Sequence, residues 1–206
     1  MGIDSPRIEA AVAELLAAIG EDPGRPGLQA TPRRVAEAYA EFFAGIGEDP
    51  QQHLTDAAEL DAEKGELGEL VLLRDIDFRS ICEHHLLPFT GVAHIAYVPG
   101  RRIVGLGRLP RVVETLSSRP QLQERLGEQI ADALEQGLEP RGVLVMLDAR
   151  HGCVNARGTR QVDSTTVTVA TRGTLTDPAA QAAVLSMVST GSTTGPTGST
   201  AGAAAS

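Results

Sequence analysis

Residues 81–89 read Ile-Cys-Glu-His-His-Leu-Leu-Pro-Phe, and the rest of the chain is organised around this stretch. It places a thiol, a carboxylate and two imidazoles in four consecutive positions between apolar flanks. Burying such a cluster costs free energy unless a ligand binds it. Thiolate sulfur and neutral imidazole are the ligands that zinc prefers, and a zinc site takes at least three protein groups. Cys82 and His85 supply two, so a third must come from elsewhere in the chain.

The only other cysteine is Cys153, which a histidine precedes by two positions in the sequence Ala-Arg-His-Gly-Cys. The cysteine count therefore predicts one metal site formed by Cys82, His85 and Cys153, with His84 and His151 beside it. Two thiolates and one imidazole leave a fourth position open for water, which is typical of catalytic rather than structural zinc sites.

Residue types and spacing also allow a buried thiol, a disulfide or surface imidazoles, and they leave metal binding and these alternatives evenly matched. A disulfide is the less favoured alternative, because the sequence shows no charged leader followed by an apolar run and no span long enough for a membrane. This absence favours a cytoplasmic protein, in which thiols stay reduced.

Composition limits the classes of partner. The chain has 206 residues, 42% of them hydrophobic, and a formal net charge of −9, which suits one domain with a small appendage and argues against binding nucleic acid or a membrane surface. Residues 101–125 nevertheless carry six arginines against two glutamates, and residues 149–172 carry four arginines against one aspartate. These basic segments around the metal ligands suit a small polyanion such as a nucleoside triphosphate. Ordinary solvated arginines are the alternative.

Apolar periodicity and turn residues divide the chain into four parts. Residues 1–50 hold two amphipathic helices, each opened by a Ser-Pro or Thr-Pro pair at Ser5 and Thr31. Residues 51–69 form an acidic connection. Residues 70–188 form the main domain, and residues 189–206, built only from Ser, Thr, Gly, Ala and Pro, are predicted to be a disordered tail.

The main domain follows the order strand, strand, helix, helix, strand, strand. Strands are predicted over 70–76, 92–98, 143–147 and 164–171, and helices over 109–117 and 122–138. The motif at Cys82 then falls on the connection between the first two strands. This order predicts an α+β fold, in which an antiparallel four-stranded sheet carries two helices on one face.

Four motifs together resemble type I GTP cyclohydrolase: Cys-Glu-His-His at 82–85, Gly-Leu-Gly-Arg-Leu at 105–109, Arg-Pro-Gln-Leu-Gln-Glu-Arg-Leu at 119–126, and His-Gly-Cys-Val-Asn-Ala-Arg-Gly at 151–158. The similarity runs over residues 5–175. It implies the tunnelling fold (T-fold) and a reaction in which the guanine ring of GTP is opened by hydrolysis, C8 leaves as formate, and the product recloses to 7,8-dihydroneopterin triphosphate. The step begins folate or pterin biosynthesis.

The resemblance also implies roles for individual residues. Zn²⁺ is held by Cys82, His85 and Cys153, and His84 and His151 transfer protons. The remaining matched positions bind substrate: Gln123 and Glu124 at the guanine edge, and Arg108, Arg111, Arg157 and, more weakly, Arg34 at the triphosphate. Two positions depart from the family pattern, since Arg108 replaces a usual lysine and Gly107 a usual serine.

The resemblance further implies a ring-shaped homodecamer of two pentamers with sites between subunits. Two other classes remain alternatives. A zinc nucleobase deaminase would need His-x-Glu and Pro-Cys-x-x-Cys, and the sequence contains neither. A repurposed T-fold protein that binds pterin or nucleotide without this reaction would not need both spare histidines.

Overall fold

In the computed structural model, residues 2–60, 69–158 and 160–190 are described. Six helices have these bounds: α1 Ser5–Ala18, α2 Thr31–Phe42, α3 Arg108–Ser117, α4 Gln123–Leu138, α5 Gly152–Asn155 and α6 Pro178–Ser189. Seven strands have these bounds: β1 Ala58–Glu59, β2 Val71–Cys82, β3 Pro88–Val98, β4 Arg102–Ile103, β5 Pro120–Gln121, β6 Gly142–His151 and β7 Thr166–Gly173.

The predicted N-terminal helical pair is present, and α1 packs against α2. Asp4 caps α1 by accepting a hydrogen bond from the Arg7 backbone N–H at 3.1 Å, so the cap lies one residue before the predicted Ser5. Pro32 stands in the first turn of α2 without a side-chain cap. Both prolines occupy positions where the missing N–H has no helical partner to lose.

The main sheet has five strands in the order β5-β2-β3-β6-β7. The four long strands pair antiparallel, whereas the two-residue β5 pairs parallel with β2. The prediction of an α+β fold is confirmed, but the sheet is mixed and five-stranded rather than a purely antiparallel sheet of four. The fifth strand is too short to show an alternating pattern.

The core lies between the sheet and two helices on one of its faces. Alternate residues of β3 and β6, such as Ile95 and Val145, pack against Leu109 of α3 and Ile130 of α4, all of them fully buried. The opposite face is covered near one end by α6, which the sequence analysis did not predict; Val184 packs there with a separate group of buried side chains.

Strand β2 extends past the predicted end at residue 76 and carries the chain to Cys82. A bulge interrupts its pairing with β3 between Leu73 and Ile76, and Asp75 there has φ of 58°. After the bulge, buried and exposed positions alternate from Ile76 to Ser80, as expected when one face packs against helices. The last two residues, Ile81 and Cys82, are both buried.

Two predicted regions fall partly outside the described residues. Of the acidic connection 51–69, residues 61–68 lie outside them, while Pro50–His53 forms a 3-10 helix. Of the tail predicted over 189–206, residues 191–206 lie outside them, and Ser189 ends α6. Within the described ranges, none of the helices has the length and apolar character needed to cross a membrane.

Candidate metal centre and substrate pocket

The sheet brings the two cysteine-bearing segments together. Both β2 and β6 pair antiparallel with β3, so they run in the same direction on either side of it. Ile81 lies opposite Pro88, and Phe89 lies opposite His151. The carboxyl ends of β2 and β6 therefore meet at the start of β3, where Cys82 ends one strand and His151 ends the other.

The predicted ligand set is assembled at this edge. The Sγ atoms of Cys82 and Cys153 and a ring nitrogen of His85 all lie within 4.8 Å of one another. Cys82 is buried, Cys153 half-buried and His85 exposed. Tetrahedral zinc with Zn–S bonds of about 2.3 Å separates two sulfurs by roughly 3.8 Å, so the donor types and their spacing fit a zinc ion with one open position.

Both cysteines are free thiols, and burial and the Cys82 thiol both act on the ionisation of Cys153. Burial raises the pKa of Cys153, the adjacent Cys82 thiol raises it further, and Arg157 acts in the opposite direction. Two neighbouring thiolates repel each other in a partly desolvated place. A cation bound between them would offset that repulsion, which is a second reason why the pair fits a metal.

A tight turn after β2 presents the two adjacent histidines. The Cys82 backbone N–H donates to the Leu87 carbonyl at 2.9 Å, and the Leu86 N–H donates back to the Cys82 carbonyl at 2.9 Å. Leu86 has φ of 52°. Arg125 of α4 pairs with both carboxylate oxygens of Glu83 and holds the pKa of that carboxyl below its usual value, which ties the turn to the helix.

His84 lies in this turn beside the ligand His85. Its side chain is exposed, and the two rings stand almost perpendicular, at 89°, with their centroids 6.3 Å apart. Adjacent positions in the turn therefore send the two imidazoles in different directions. One can serve as a ligand while the other stays open to solvent or substrate.

His151 is held more firmly. Its ring stacks on Phe89 at 4.7 Å with an interplanar angle of 3°, and its Nε2 lies 2.7 Å from Oε1 of Gln123. Burial lowers the pKa of His151, while Glu124 opposes that shift. The lowered pKa favours a neutral ring near neutral pH, and a neutral imidazole can accept a proton.

Gln123 and Glu124 open α4 but have different surroundings. Gln123 is 1% exposed, and its amide nitrogen donates to the Leu147 and Thr166 carbonyls at 3.1 and 2.7 Å. Glu124 is exposed in the first turn of the helix. Glu124 is therefore accessible to a ligand, whereas Gln123 is engaged within the chain.

Arg108 and Arg111, two of the residues predicted to contact phosphate, line one pocket. This pocket has a volume of about 390 Å³ and is lined by Gly105, Leu106, Gly107, Arg108 and Arg111. Arg108 forms an ion pair there with Asp56. A Cβ atom added at Gly107 would meet no atom within 4 Å, so the position that departs from the family pattern is open.

The other two arginines lie elsewhere. Arg157 follows α5 and is close enough to Cys153 to oppose the rise in the pKa of that thiol, whereas Arg34 is exposed on α2. Across the described ranges, no hydrogen bond or ion pair joins Arg34 or the pocket of Arg108 and Arg111 to the metal-ligand cluster. The chain thus brings the ligands, His84, His151, Glu124 and Arg157 to one place, and no such interaction among the described residues links the remaining candidate arginines to that place.

A larger pocket, of about 790 Å³, lies between α2, β2 and α3 and contains none of the predicted site residues. Its lining carries four carboxylates, from Glu41, Glu48, Asp77 and Glu114, against Arg79. That charge does not suit a triphosphate. Size alone would therefore have selected the wrong pocket for the predicted chemistry.

Sequence reasoning missed two features of the site. Asp56 was assigned only to the acidic connection, and no local pattern indicates that it pairs with Arg108 across 52 positions. The internal hydrogen bonds of Gln123 were also missed, because a glutamine beside a glutamate at the start of a helix resembles an exposed polar pair. The burial of Leu126, three positions further along α4, follows from the apolar period of the helix and offered a weak signal that Gln123 lies on the same face.

Comparison with known proteins identifies relatives over most of the chain. The family model described as GTP cyclohydrolase I matches residues 8–189. The protein named GTP cyclohydrolase 1 from Leifsonia xyli is 61% identical over 190 residues, which cover 92% of this chain and 98% of that protein. Those of the same name from Rhodopirellula baltica and Halalkalibacterium halodurans are 50% and 49% identical, cover 90% of this chain, and are themselves covered to 80% and 97%.

Among solved structures, an archaeosine synthase QueF-Like in the apo form aligns with a TM-score of 0.41 and 16% identity, covering 50% of this chain and 93% of that one. Agreement at this level carries no weight for the fold or the function.

Proposed function

The chain belongs to the GTP cyclohydrolase I family, and from that premise we propose that it hydrolyses and rearranges GTP to 7,8-dihydroneopterin triphosphate and formate. This reaction begins folate or pterin biosynthesis. The observation that carries the proposal is the meeting of Cys82, His85 and Cys153 within 4.8 Å, inside the segment that matches the family.

We propose zinc as the cofactor, held by Cys82, His85 and Cys153. When bound, zinc supplies Lewis acidity, which makes water a usable nucleophile near neutral pH for attack at C8 of guanine. The chain's contribution is a set of three donors with one position open, on a turn fixed by backbone hydrogen bonds and by the Glu83–Arg125 pair.

His84 and His151 transfer the protons. Ring opening and release of formate require protons to be taken up and given back at nitrogen and oxygen atoms, and imidazole does both near neutral pH. His84 is exposed and free to follow substrate, whereas His151 is fixed against Phe89. Because the His151 ring is held in one orientation, it suits a proton transfer in which donor and acceptor must lie in one fixed arrangement.

Residues of opposite charge recognise the two ends of the substrate, the guanine and the triphosphate. Glu124 accepts N–H groups from the guanine edge, and its exposed position beside His151 supports that role. Arg108 and Arg111 bind the triphosphate in their shared pocket, with Arg157 and, more weakly, Arg34 contributing from other elements. Guanidinium groups pair with phosphate oxygens through two parallel donors.

The separation of these groups within one subunit supports sites shared between subunits. We propose a T-fold domain over residues 70–188 that assembles as a homodecamer of two pentamers. The exposed Val167 and Val169 on the edge strand β7 and the exposed Leu15 and Ile19 on α1 support this, because apolar side chains and open sheet edges are commonly covered by a partner. A cytoplasmic location suits two ligand thiols that stay reduced.

The proposal is tested by incubating the purified, zinc-loaded protein with GTP. We expect stoichiometric formate and a pterin that fluoresces after oxidation, with one zinc per subunit by elemental analysis. Cys153→Ser should lose zinc and activity together. His151→Ala should keep its zinc while product formation collapses.

Each outcome discriminates between alternatives. GTP bound tightly without formate release would favour the repurposed binding protein. Loss of zinc from His151→Ala would make His151 a ligand and would reopen the role of His85.

A further inference from the structure

The hydrogen-bond partners of the Gln123 side chain determine which end of its amide group is the nitrogen and which is the oxygen. Its Nε2 lies within hydrogen-bonding distance of the Leu147 carbonyl at 3.1 Å, the Thr166 carbonyl at 2.7 Å and Thr168 Oγ1 at 3.2 Å. Backbone carbonyls only accept. The amide NH₂ must therefore face these two carbonyls, and the amide oxygen must be the end that faces His151, which settles the assignment of the two ends.

The amide oxygen in turn determines which ring nitrogen of His151 carries a hydrogen. Oε1 of Gln123 lies 2.7 Å from His151 Nε2 and can only accept. His151 Nε2 must therefore donate, so the neutral ring is the Nε2–H tautomer. In the described ranges no other hydrogen bond involves this ring, which leaves Nδ1 with its lone pair free.

From this geometry we infer that Gln123 is a positioning residue, which keeps His151 in the Nε2–H tautomer and leaves Nδ1 as the atom that takes up and returns the proton. The inference rests on the proposed role of His151 in proton transfer. It replaces the expected contact of Gln123 with guanine, because a side chain that is 1% exposed and bonded at both ends has no group left for substrate.

Two independent contacts then fix the ring. The stack on Phe89 sets the plane of the imidazole at an interplanar angle of 3°, and the bond to Gln123 sets the rotation within that plane. Phe89 is itself 1% exposed. Since both supports are buried, the orientation of Nδ1 does not depend on bound substrate.

A double-mutant cycle tests whether Gln123 acts through His151. Gln123→Met keeps the side-chain length and removes both hydrogen-bonding ends. We expect kcat to fall about 10- to 100-fold, as when the hydrogen-bond partner of a functional histidine is lost, with zinc content and KM for GTP little changed. Thr168→Val is the matched control, because it removes one acceptor of the Gln123 amide and leaves the bond to His151, so kcat should stay close to that of wild type.

In a His151→Ala background, Gln123→Met should cause no further loss of kcat and no change in the GTP dissociation constant measured by calorimetry. An equal loss in both backgrounds would show that Gln123 acts independently of His151. A weaker GTP complex in the His151→Ala background would show direct contact with substrate. Either result overturns the inference.

The positions of the hydrogens on the His151 ring can also be measured directly, in protein that keeps Gln123 and its hydrogen bonds. In zinc-loaded protein labelled with ¹⁵N-histidine, with the His151 signals assigned by their loss in His151→Ala, Nε2 should be protonated and Nδ1 should not be. Protonation at Nδ1 of the neutral ring would overturn the inference even if Gln123→Met fails to fold. This readout does not use turnover, so a wild type that is inactive toward GTP would refute the proposed function while the tautomer still decides the inference.

Discussion

If Arg108 binds the triphosphate as proposed, Asp56 competes with the triphosphate for Arg108. The two side chains form an ion pair at the pocket lined by Arg108 and Arg111, and they are 54% and 40% exposed. An ion pair this exposed is worth about 0.2–1 kcal/mol. Because a triphosphate that engages Arg108 must break the pair, Asp56→Asn should strengthen GTP binding by about 1.4- to 5-fold, at roughly 1.4 kcal/mol per factor of ten.

Substitution of Arg108 itself should change GTP affinity in the opposite direction and by a larger factor. Arg108→Ala removes a charge-assisted contact worth about 1.5–3 kcal/mol and should weaken GTP binding by roughly 10- to 150-fold. Guanosine lacks phosphate, so neither substitution should change its affinity. Both effects on GTP should shrink as salt is raised, since the groups are exposed.

GTP and guanosine affinities measured by calorimetry at low and high salt check this prediction. Glu21→Gln is the matched control, because Glu21 pairs with Arg25 at similar exposures of 41% and 50% and lies outside the pocket. If Asp56→Asn weakened GTP binding, Asp56 would be orienting Arg108 for phosphate instead of competing, and the argument would be refuted. An unchanged affinity in Arg108→Ala would remove Arg108 from the triphosphate site.

Three further substitutions test the open position, the sheet and the buried histidine. Gly107→Ser should fold normally, since a Cβ there meets nothing within 4 Å, and should strengthen GTP binding by about 2- to 10-fold through one neutral hydrogen bond; unchanged binding would remove residue 107 from the phosphate contacts. Gly91→Ala should lower the free energy of unfolding by about 1–3 kcal/mol or more, measured with denaturant, because its Cβ would lie 2.0 Å from the Asp148 carbonyl oxygen; wild-type stability would contradict this. Burial lowers the pKa of His94 below the ordinary value of 6.5. As the pH falls below about 6.5, His94 therefore becomes protonated in the unfolded chain but not yet in the native protein, and the free energy of unfolding decreases until the pH reaches the native pKa. His94→Asn, which can still accept from the Asp75 N–H, should lose less stability between pH 7 and 5, and equal losses would rule out His94 as the cause.

The sequence predicted those parts of the fold that depend on local patterns. The apolar period of α4 and the proline-opened helices α1 and α2 are visible in short windows, and the structure confirms them. Helix α6 was missed because it is made almost entirely of small and apolar residues, with few polar ones among them, so no polar face contrasts with an apolar one. It is held by packing of Val184 and Val188, which is a tertiary contact that periodicity does not show.

The limits of β2 and the role of Gln123 were also missed because both depend on contacts with other parts of the chain. The strand was predicted only over the aliphatic run at 70–76, whereas Asp77 is one of the exposed positions of an alternation that continues after the bulge. Residue type placed Cys82, His85 and Cys153 together because few side chains bind zinc. Gln123 has many ordinary roles, and only its burial and bonded partners distinguish them.

The assembly of the candidate ligand set depends on the register of β3. Cys82 ends β2, and Cys153 lies in α5 just after the end of β6. The strands β2 and β6 do not pair with each other, and β3 lies between them with Ile81 opposite Pro88 and Phe89 opposite His151. A slip of one residue would turn Phe89 to the other face of the sheet, because side chains alternate along a strand. The ring of His151 would then lose its stacking partner, and the ends of β2 and β6 would separate along the sheet. The buried Phe89 therefore links the core packing that stabilises the fold to the register that assembles the site.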